Sequence, residues 1–187
     1  LSKIQVDTID TRSGTSTMTI GSTNTTTIAL KSGATLTNFP DNTPAFDAYM
    51  SSDQNVTDNA NTKVVVNTEV YDSDGCYDNS TNYRFTPTTA GKYYVYGAVG
   101  SLTDVSQTKE ARAMIYKNGS AVRSATSDPR NNYGYHFNNS VSAIIDMNGS
   151  SDYVELYGTT NKEGGTDCKF TSLHHQSTYF GAYRIIT

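Results

Sequence analysis

Asp72-Ser73-Asp74-Gly75-Cys76-Tyr77-Asp78 sets three carboxylates on one turn. Calcium takes several hard oxygen ligands, and Asp-x-Asp-Gly is a fragment of a calcium loop. The Glu that would complete such a loop is missing, so a solvated acidic turn is the preferred reading and calcium at Asp72, Asp74 and Asp78 the alternative. His174-His175 is a second group. Neighbours on a strand point to opposite faces, so both imidazoles cannot reach one ion, although one His per chain could meet its copies on a symmetry axis. Cys76 and Cys168 fit no metal-finger spacing, and either a disulfide or two reduced thiols is open to them. The densest aromatic run is Tyr133-Gly134-Tyr135-His136-Phe137, after Pro129-Arg130-Asn131-Asn132. Its rings could stack on sugars while the Asn amides bond hydroxyls. There is no nucleophile elbow, phosphate-binding loop or zinc-protease helix. Carboxylate pairs that cleave glycosides are arranged in space rather than in sequence, but the acidic residues fall mostly in turns, and the expectation is a chain that is not an enzyme.

The elements that must position these groups are strands. Of 187 residues only 17% are charged, 14 are Tyr and none is Trp, and no long stretch keeps helical spacing with good helix formers. A polar, uncharged, Tyr-rich composition suits β structure. The net charge of −4 comes without a basic cluster, which argues against nucleic-acid binding. No run of about 18 apolar residues could insert into a bilayer. The chain starts at Leu1 without an initiator Met or a signal-peptide pattern and reads as a piece of a longer protein.

Residues 1–40 differ from the rest. Thr19-Ile20, Thr27-Ile28 and Thr35-Leu36 return an apolar residue every eight positions, which a disordered linker has no reason to keep. Three chains wound round one axis could bury one such residue per rung, predicting a fibrous β stalk over 1–40. Phe39-Pro40-Asp41-Asn42-Thr43-Pro44 marks the boundary to a second domain, 41–187. Strands are predicted near 45–50, 63–71, 82–86, 92–100, 111–117, 136–146, 152–158, 166–171 and 178–186, with Asn-Gly turn signals at Asn118-Gly119 and Asn148-Gly149. The segments 92–100, 152–158 and 178–186 are apolar or aromatic on both faces, whereas an antiparallel sheet normally keeps one polar face. Such a sheet packs on its partner sheet and on another subunit. A homotrimer is expected, with Tyr93, Tyr94, Tyr96, Tyr153, Tyr157, Tyr179 and Tyr183 at its interface.

The run from Tyr83 to Gly97, in which Pro87 and Gly91 mark a turn between two strands, carries a resemblance to a known family. Val66, Asp72, Tyr77, Phe85, Gly91 and Tyr93 resemble the signature of the complement globular head, a jelly roll of the tumour-necrosis-factor superfamily. Val66 and Val95 stand where Phe is usual, Gly97 where an aromatic is usual, and one extra residue separates Tyr77 from Phe85. Tyr179-Phe180-Gly181-Ala182-Tyr183 looks like the family's last strand. The resemblance implies an all-β antiparallel jelly-roll sandwich whose aromatics line a threefold axis, and some relatives bind calcium near their tips. Residues 4–15 resemble the fibrous repeats of tail fibres from phages of marine bacteria.

If strands alternate in direction and both domain termini lie at the stalk, the connections 72–81, 101–110, 147–151 and 172–177 form the apex. Loops on a rigid scaffold are the usual binding sites. Asp72, Asp74, Tyr77, Asp78, Asp104, Lys109, Asn148, His174 and His175 are therefore the expected receptor-binding set. The same parity puts the 133–137 loop near the base, where its aromatics would serve packing. The function these readings imply is a trimeric adhesin at the distal tip of a phage tail fibre in the virion, attaching to a host cell-surface polysaccharide or outer-membrane component. The alternatives are an assembly module of a structural or secreted protein and, behind it, a glycan depolymerase.

Overall fold

The structure is a computed structural model and describes residues 41–104, 107–164, 167–173 and 177–186. The stalk expected over 1–40 and both His174 and His175 lie outside the described residues. What is described is all β, as expected. The strands are β1 (Ala45–Tyr49), β2 (Gln54–Val56), β3 (Thr62–Lys63), β4 (Thr68–Asp72), β5 (Tyr77–Asp78), β6 (Arg84–Phe85), β7 (Gly91–Thr103), β8 (Thr108–Lys117), β9 (Ser120–Ser127), β10 (His136–Met147), β11 (Val154–Lys162), β12 (Cys168–Phe170) and β13 (Tyr179–Arg184).

Two antiparallel sheets face each other. In the first, β7 pairs with β10 along one side; along the other it pairs with β12 and then with β13, which continues to β1 and β4. The second runs β5-β6-β11-β8-β9, with β3 also on β11. Period-two alternation fills the space between the sheets. Odd residues of β7 (Tyr93, Val95, Val99) and even residues of β1 and β13 (Phe46, Phe180, Ala182) meet Phe85, Ile115, Val154 and Leu156 of the second sheet. Phe46 stacks on Tyr77 at 4.3 Å and on Phe85 at 4.7 Å, and Phe85 meets Tyr93 edge-on at 5.7 Å. Val66, Tyr77, Phe85 and Tyr93 are all buried. Four of the six residues that carry the family resemblance are thus core residues: they mark a fold.

The two ends of the sandwich can be told apart by their hydrogen bonds. At the terminal end, Arg184 N–H donates to Asn42 O, Ile185 N–H to Lys92 O and Ser73 N–H to Ala45 O, and Met147 pairs with Gly91. At the far end, Glu163 N–H donates to Gln107 O, Thr108 N–H to Gly134 O and Lys162 N–H to Asp58 Oδ1. The expected apex is corrected by this arrangement. Residues 72–76 and 148–153 lie at the terminal end, while Asp104, Gln107, Thr108 and residues 128–135 lie at the far end.

Residues 72–76 are displaced because β5 and β6 are two-residue strands paired beside the start of β11 and not a full crossing, and two further strand differences account for the later connections. β9 was not predicted, and one missing strand exchanges the ends of every later connection. Asn118 and Gly119, at φ of 50° and 78°, form a two-residue hairpin turn between β8 and β9. Moreover, β12 and β13 are two collinear pieces of one crossing, both antiparallel to β7 at Ser101–Thr103 and Tyr93–Ala98 respectively. The connection between them therefore leaves the sheet midway, at neither end.

Candidate functional site

The outer face of the first sheet is a continuous field of tyrosines. β7 turns Tyr94 and Tyr96 outward and β13 turns Tyr179 and Tyr183 outward. The ring centroids lie 6.0 Å apart for Tyr94–Tyr96, 5.5 Å for Tyr94–Tyr183 and 6.3 Å for Tyr96–Tyr179. Gly181 stands opposite Tyr96, and a Cβ there would fall inside the Tyr96 ring, so glycine lets that ring lie flat on the sheet. Ile144 of β10, opposite Tyr94, extends the field and is 63% exposed; Tyr71 of β4 closes the other side at 46%. Asp47 sits within it and accepts a hydrogen bond from Tyr96 Oη at 3.3 Å. Burial raises the Asp47 carboxyl above the ordinary value, against the opposing hydrogen bonds of Tyr96 and the Ala48 backbone. A shallow groove of about 410 Å³ runs between Tyr94, Tyr96 and Tyr179 on one side and Ser140 to Ser142 on the other.

The expected trimer-interface set divides. Tyr94, Tyr96, Tyr179 and Tyr183 come together on this face. Tyr93 is 0% exposed and belongs to the core, so it has no surface to offer a partner. Tyr157 is on β11 of the second sheet, stacked on Tyr116 at 4.0 Å, and Tyr153 lies under the Arg84 guanidinium at 4.5 Å. Those two tyrosines are on the wrong sheet to share the tyrosine face. Sequence reasoning missed Ile144 although its signal was legible, since it is the apolar residue out of phase among Ser140, Ser142 and Asp146.

The far end carries a polar cleft of about 270 Å³. Lys109 and Glu110 come from the start of β8, Asn161 and Glu163 from the end of β11 and just beyond it, and Asp128, Arg130, Asn131 and Tyr133 from the β9–β10 connection. Lys109 Nζ lies 3.0 Å from Glu163 Oε2, Arg112 Nη2 2.6 Å from Glu110 Oε1, and Arg130 Nε 3.5 Å from Asp128 Oδ2. The hydrogen bond that Lys109 donates to Glu163, and then the charge of that carboxylate, raise the Lys109 ammonium above its ordinary value. Asp104, close by, pairs with Lys169 at 3.3 Å. Of the expected receptor-binding residues, Lys109 and Asp104 are at this end.

The other described members of that set do structural work elsewhere. Asp72 Oδ2 accepts from Tyr77 N–H at 2.8 Å, and Asp74 Oδ2 from Ser73 Oγ at 2.5 Å. Asp78 accepts from the N–H groups of Ser80, Thr81 and Asn82, which hold its carboxyl well below the usual range. The three carboxylates close their own turns, and among the described residues no three His, Cys, Asp or Glu side chains gather to hold a metal ion. Tyr77 is buried and donates to Val66 O at 2.7 Å, which removes it from any receptor surface. Asn148 Oδ1 accepts from the N–H groups of Ser150, Ser151 and Asp152 at the terminal end.

The disulfide is corrected as well. Both thiols are free and buried. Cys76 lies beside Thr88 at the start of β7 and Cys168 opposite Thr103 at its end, a separation of roughly 40 Å at strand rise, against the ~7 Å limit between bridged Cα atoms. Burial pushes the Cys168 thiol up to about 11, which makes it an inert packing residue.

No protein-family profile matches this chain, and no curated protein sequence does. Solved structures do. A crystal structure of murine APRIL aligns with a TM-score of 0.54 at 12% identity, over 75% of this chain and 98% of that one. The globular domain of zebrafish complement 1qA aligns at 0.54 and 16%, over 76% and 97%. Eiger TNF from S. frugiperda aligns at 0.51 and 9%, over 76% and 90%. At such identities the similarity speaks for the fold alone, and the fold of the described domain is the tumour-necrosis-factor and complement-head jelly roll.

Proposed function

We propose that this domain is a self-associating head that brings three copies of its chain into register. The observation that carries the reading is the tyrosine face. Monomeric proteins seldom expose a continuous apolar patch of this kind without a partner for it, and Tyr is among the side chains enriched where subunits meet. The complement-head resemblance supports three as the number of chains, and residues 1–40 would supply the stalk they enter. Hydroxyl-radical footprinting tests the interface. Reactivity at Tyr94, Tyr183 and Ile144 should fall as protein concentration rises, while Tyr135 and Val122, exposed at 48% and 46% on other surfaces, stay reactive. Equal reactivity of all five at every concentration would contradict the reading.

A second reading is favoured by the far-end cleft, which lies opposite the chain termini of the domain. A stalked trimer would present three such clefts outward, and three weak sites on one body gain avidity for a surface. On this reading the chain is a receptor-binding tip, and the resemblance of residues 4–15 to marine phage tail fibres supports a virion protein that attaches to a host cell surface. Adhesion of labelled protein to marine bacterial cells, including the host of the source phage, tests it. Absence of adhesion to that host leaves the assembly role alone.

A further inference from the structure

The lining of the far-end cleft selects a class of ligand. Both lining cations are paired, Lys109 with Glu163 and Arg130 with Asp128, and the third lining carboxylate, Glu110, meets Arg112 outside the lining. A phosphate, sulfate or uronate entering the cleft would find no unpaired cation and would be repelled by carboxylates as strongly as it is attracted. A lipid or flat apolar molecule would find almost no apolar wall, since Tyr133 is the one aromatic side chain among the lining residues. What the cleft does offer is planar polar groups in fixed orientations. The Asn131 and Asn161 amides each present two donors and an acceptor, a paired carboxylate keeps free lone pairs, and a paired guanidinium keeps free N–H groups. Hydroxyl groups, which both donate and accept, can use every one of them. The Tyr133 ring provides a platform for the C–H face of a pyranose.

We propose that this cleft binds the terminal residue of a neutral saccharide. Its volume, about 270 Å³, falls just below the usual range for small-ligand pockets and suits a chain end better than a long oligosaccharide threaded through it. Arg130, at φ of 59°, is a non-glycine residue in the left-handed region, held there by a bond from its N–H to Asp128 Oδ1 at 3.0 Å. This turn fixes the neighbouring Asn131 over the cleft.

The proposal rests on the second reading only for where the saccharide comes from. The test is saturation-transfer NMR on the full chain with methyl glycosides of neutral hexoses and N-acetylhexosamines, beside methyl hexuronates and a sulfated hexose. A neutral glycoside should bind, and Asn131→Ala and Tyr133→Ala should each weaken it ~10-fold or more, with Arg123→Ala on β9 as the control. Asn131 is exposed, so its variant keeps the test valid if Tyr133→Ala fails to fold. Binding of acidic sugars alone, no binding of any glycoside, or binding unchanged in Asn131→Ala overturns the proposal. Saccharide binding without adhesion to the host cell overturns the adhesin reading and leaves the cleft assignment standing. Adhesion kept by Asn131→Ala, with no saccharide bound, does the reverse.

Discussion

Asp47 and Asp78 show how the same side chain acts in opposite ways. Asp78 has its folded-state pKa lowered by backbone N–H donors. Its contribution is therefore present above the unfolded value of 3.8 and is lost as pH falls through the folded one. Asp47 has its folded-state pKa raised, chiefly by burial. The folded domain holds that proton more tightly than the unfolded chain, so stability from this group is highest at acid pH and falls as pH rises from 3.8 to the folded value. Asp47→Asn, which keeps an acceptor for Tyr96, should raise the urea midpoint at pH 7 and bring it level with the wild type near pH 3. An Asp47→Asn midpoint below wild type at pH 7 would show that the charge is stabilising. Tyr77→Phe is the counterpart in the core. It leaves the Val66 carbonyl without the 2.7 Å bond and should cost about 1–3 kcal/mol by urea denaturation.

At the scale of elements, alternation was legible wherever one face of a strand is apolar. Segments 45–50, 92–100 and 136–146 were placed nearly to their ends, and the two-faced pattern of β7 is visible in Tyr93 and Val95 turned inward and Tyr94 and Tyr96 outward. β9 was illegible because Ser120-Ala121-Val122-Arg123-Ser124-Ala125-Thr126-Ser127 is an edge strand with most of its residues exposed. Hydrogen bonding to β8, not burial, makes it a strand, and no hydrophobic period records that. That omission also displaced the candidate site, sending Asn148 to the apex and the aromatic loop of Tyr133 to the base. Residue types could not reveal that Asp72, Asp74 and Asp78 are absorbed by their own turns, since ligand convergence is a matter of three-dimensional position. Where the sheets approach closely, a small residue is required. A Cβ at Gly97 would lie 2.9 Å from Leu156 Cδ1 and 3.0 Å from Tyr179 O, so Gly97→Ala should lower stability by about 1–3 kcal/mol, read as a lower denaturation midpoint.

For the molecule as a whole, the sandwich divides its labour by surface. The inner faces of the sheets hold the fold, while in the proposed function the tyrosine face of the first sheet serves association and the far end meets a ligand. Tyr157, stacked on Tyr116, and Tyr153, beneath Arg84, keep the second sheet's outer aromatics engaged within the chain itself. An assembly built on the first sheet alone follows from that asymmetry. A charge placed in the middle of a desolvated interface is costly enough to separate subunits. Tyr94→Glu places one there while touching no core residue, so the isolated domain should keep its circular dichroism spectrum. Sedimentation equilibrium of the wild type and Tyr94→Glu, run side by side, tests the central claim most directly. The account predicts three chain masses for the wild type and one for the variant; a monomeric wild type, or a variant that remains a trimer, would contradict it.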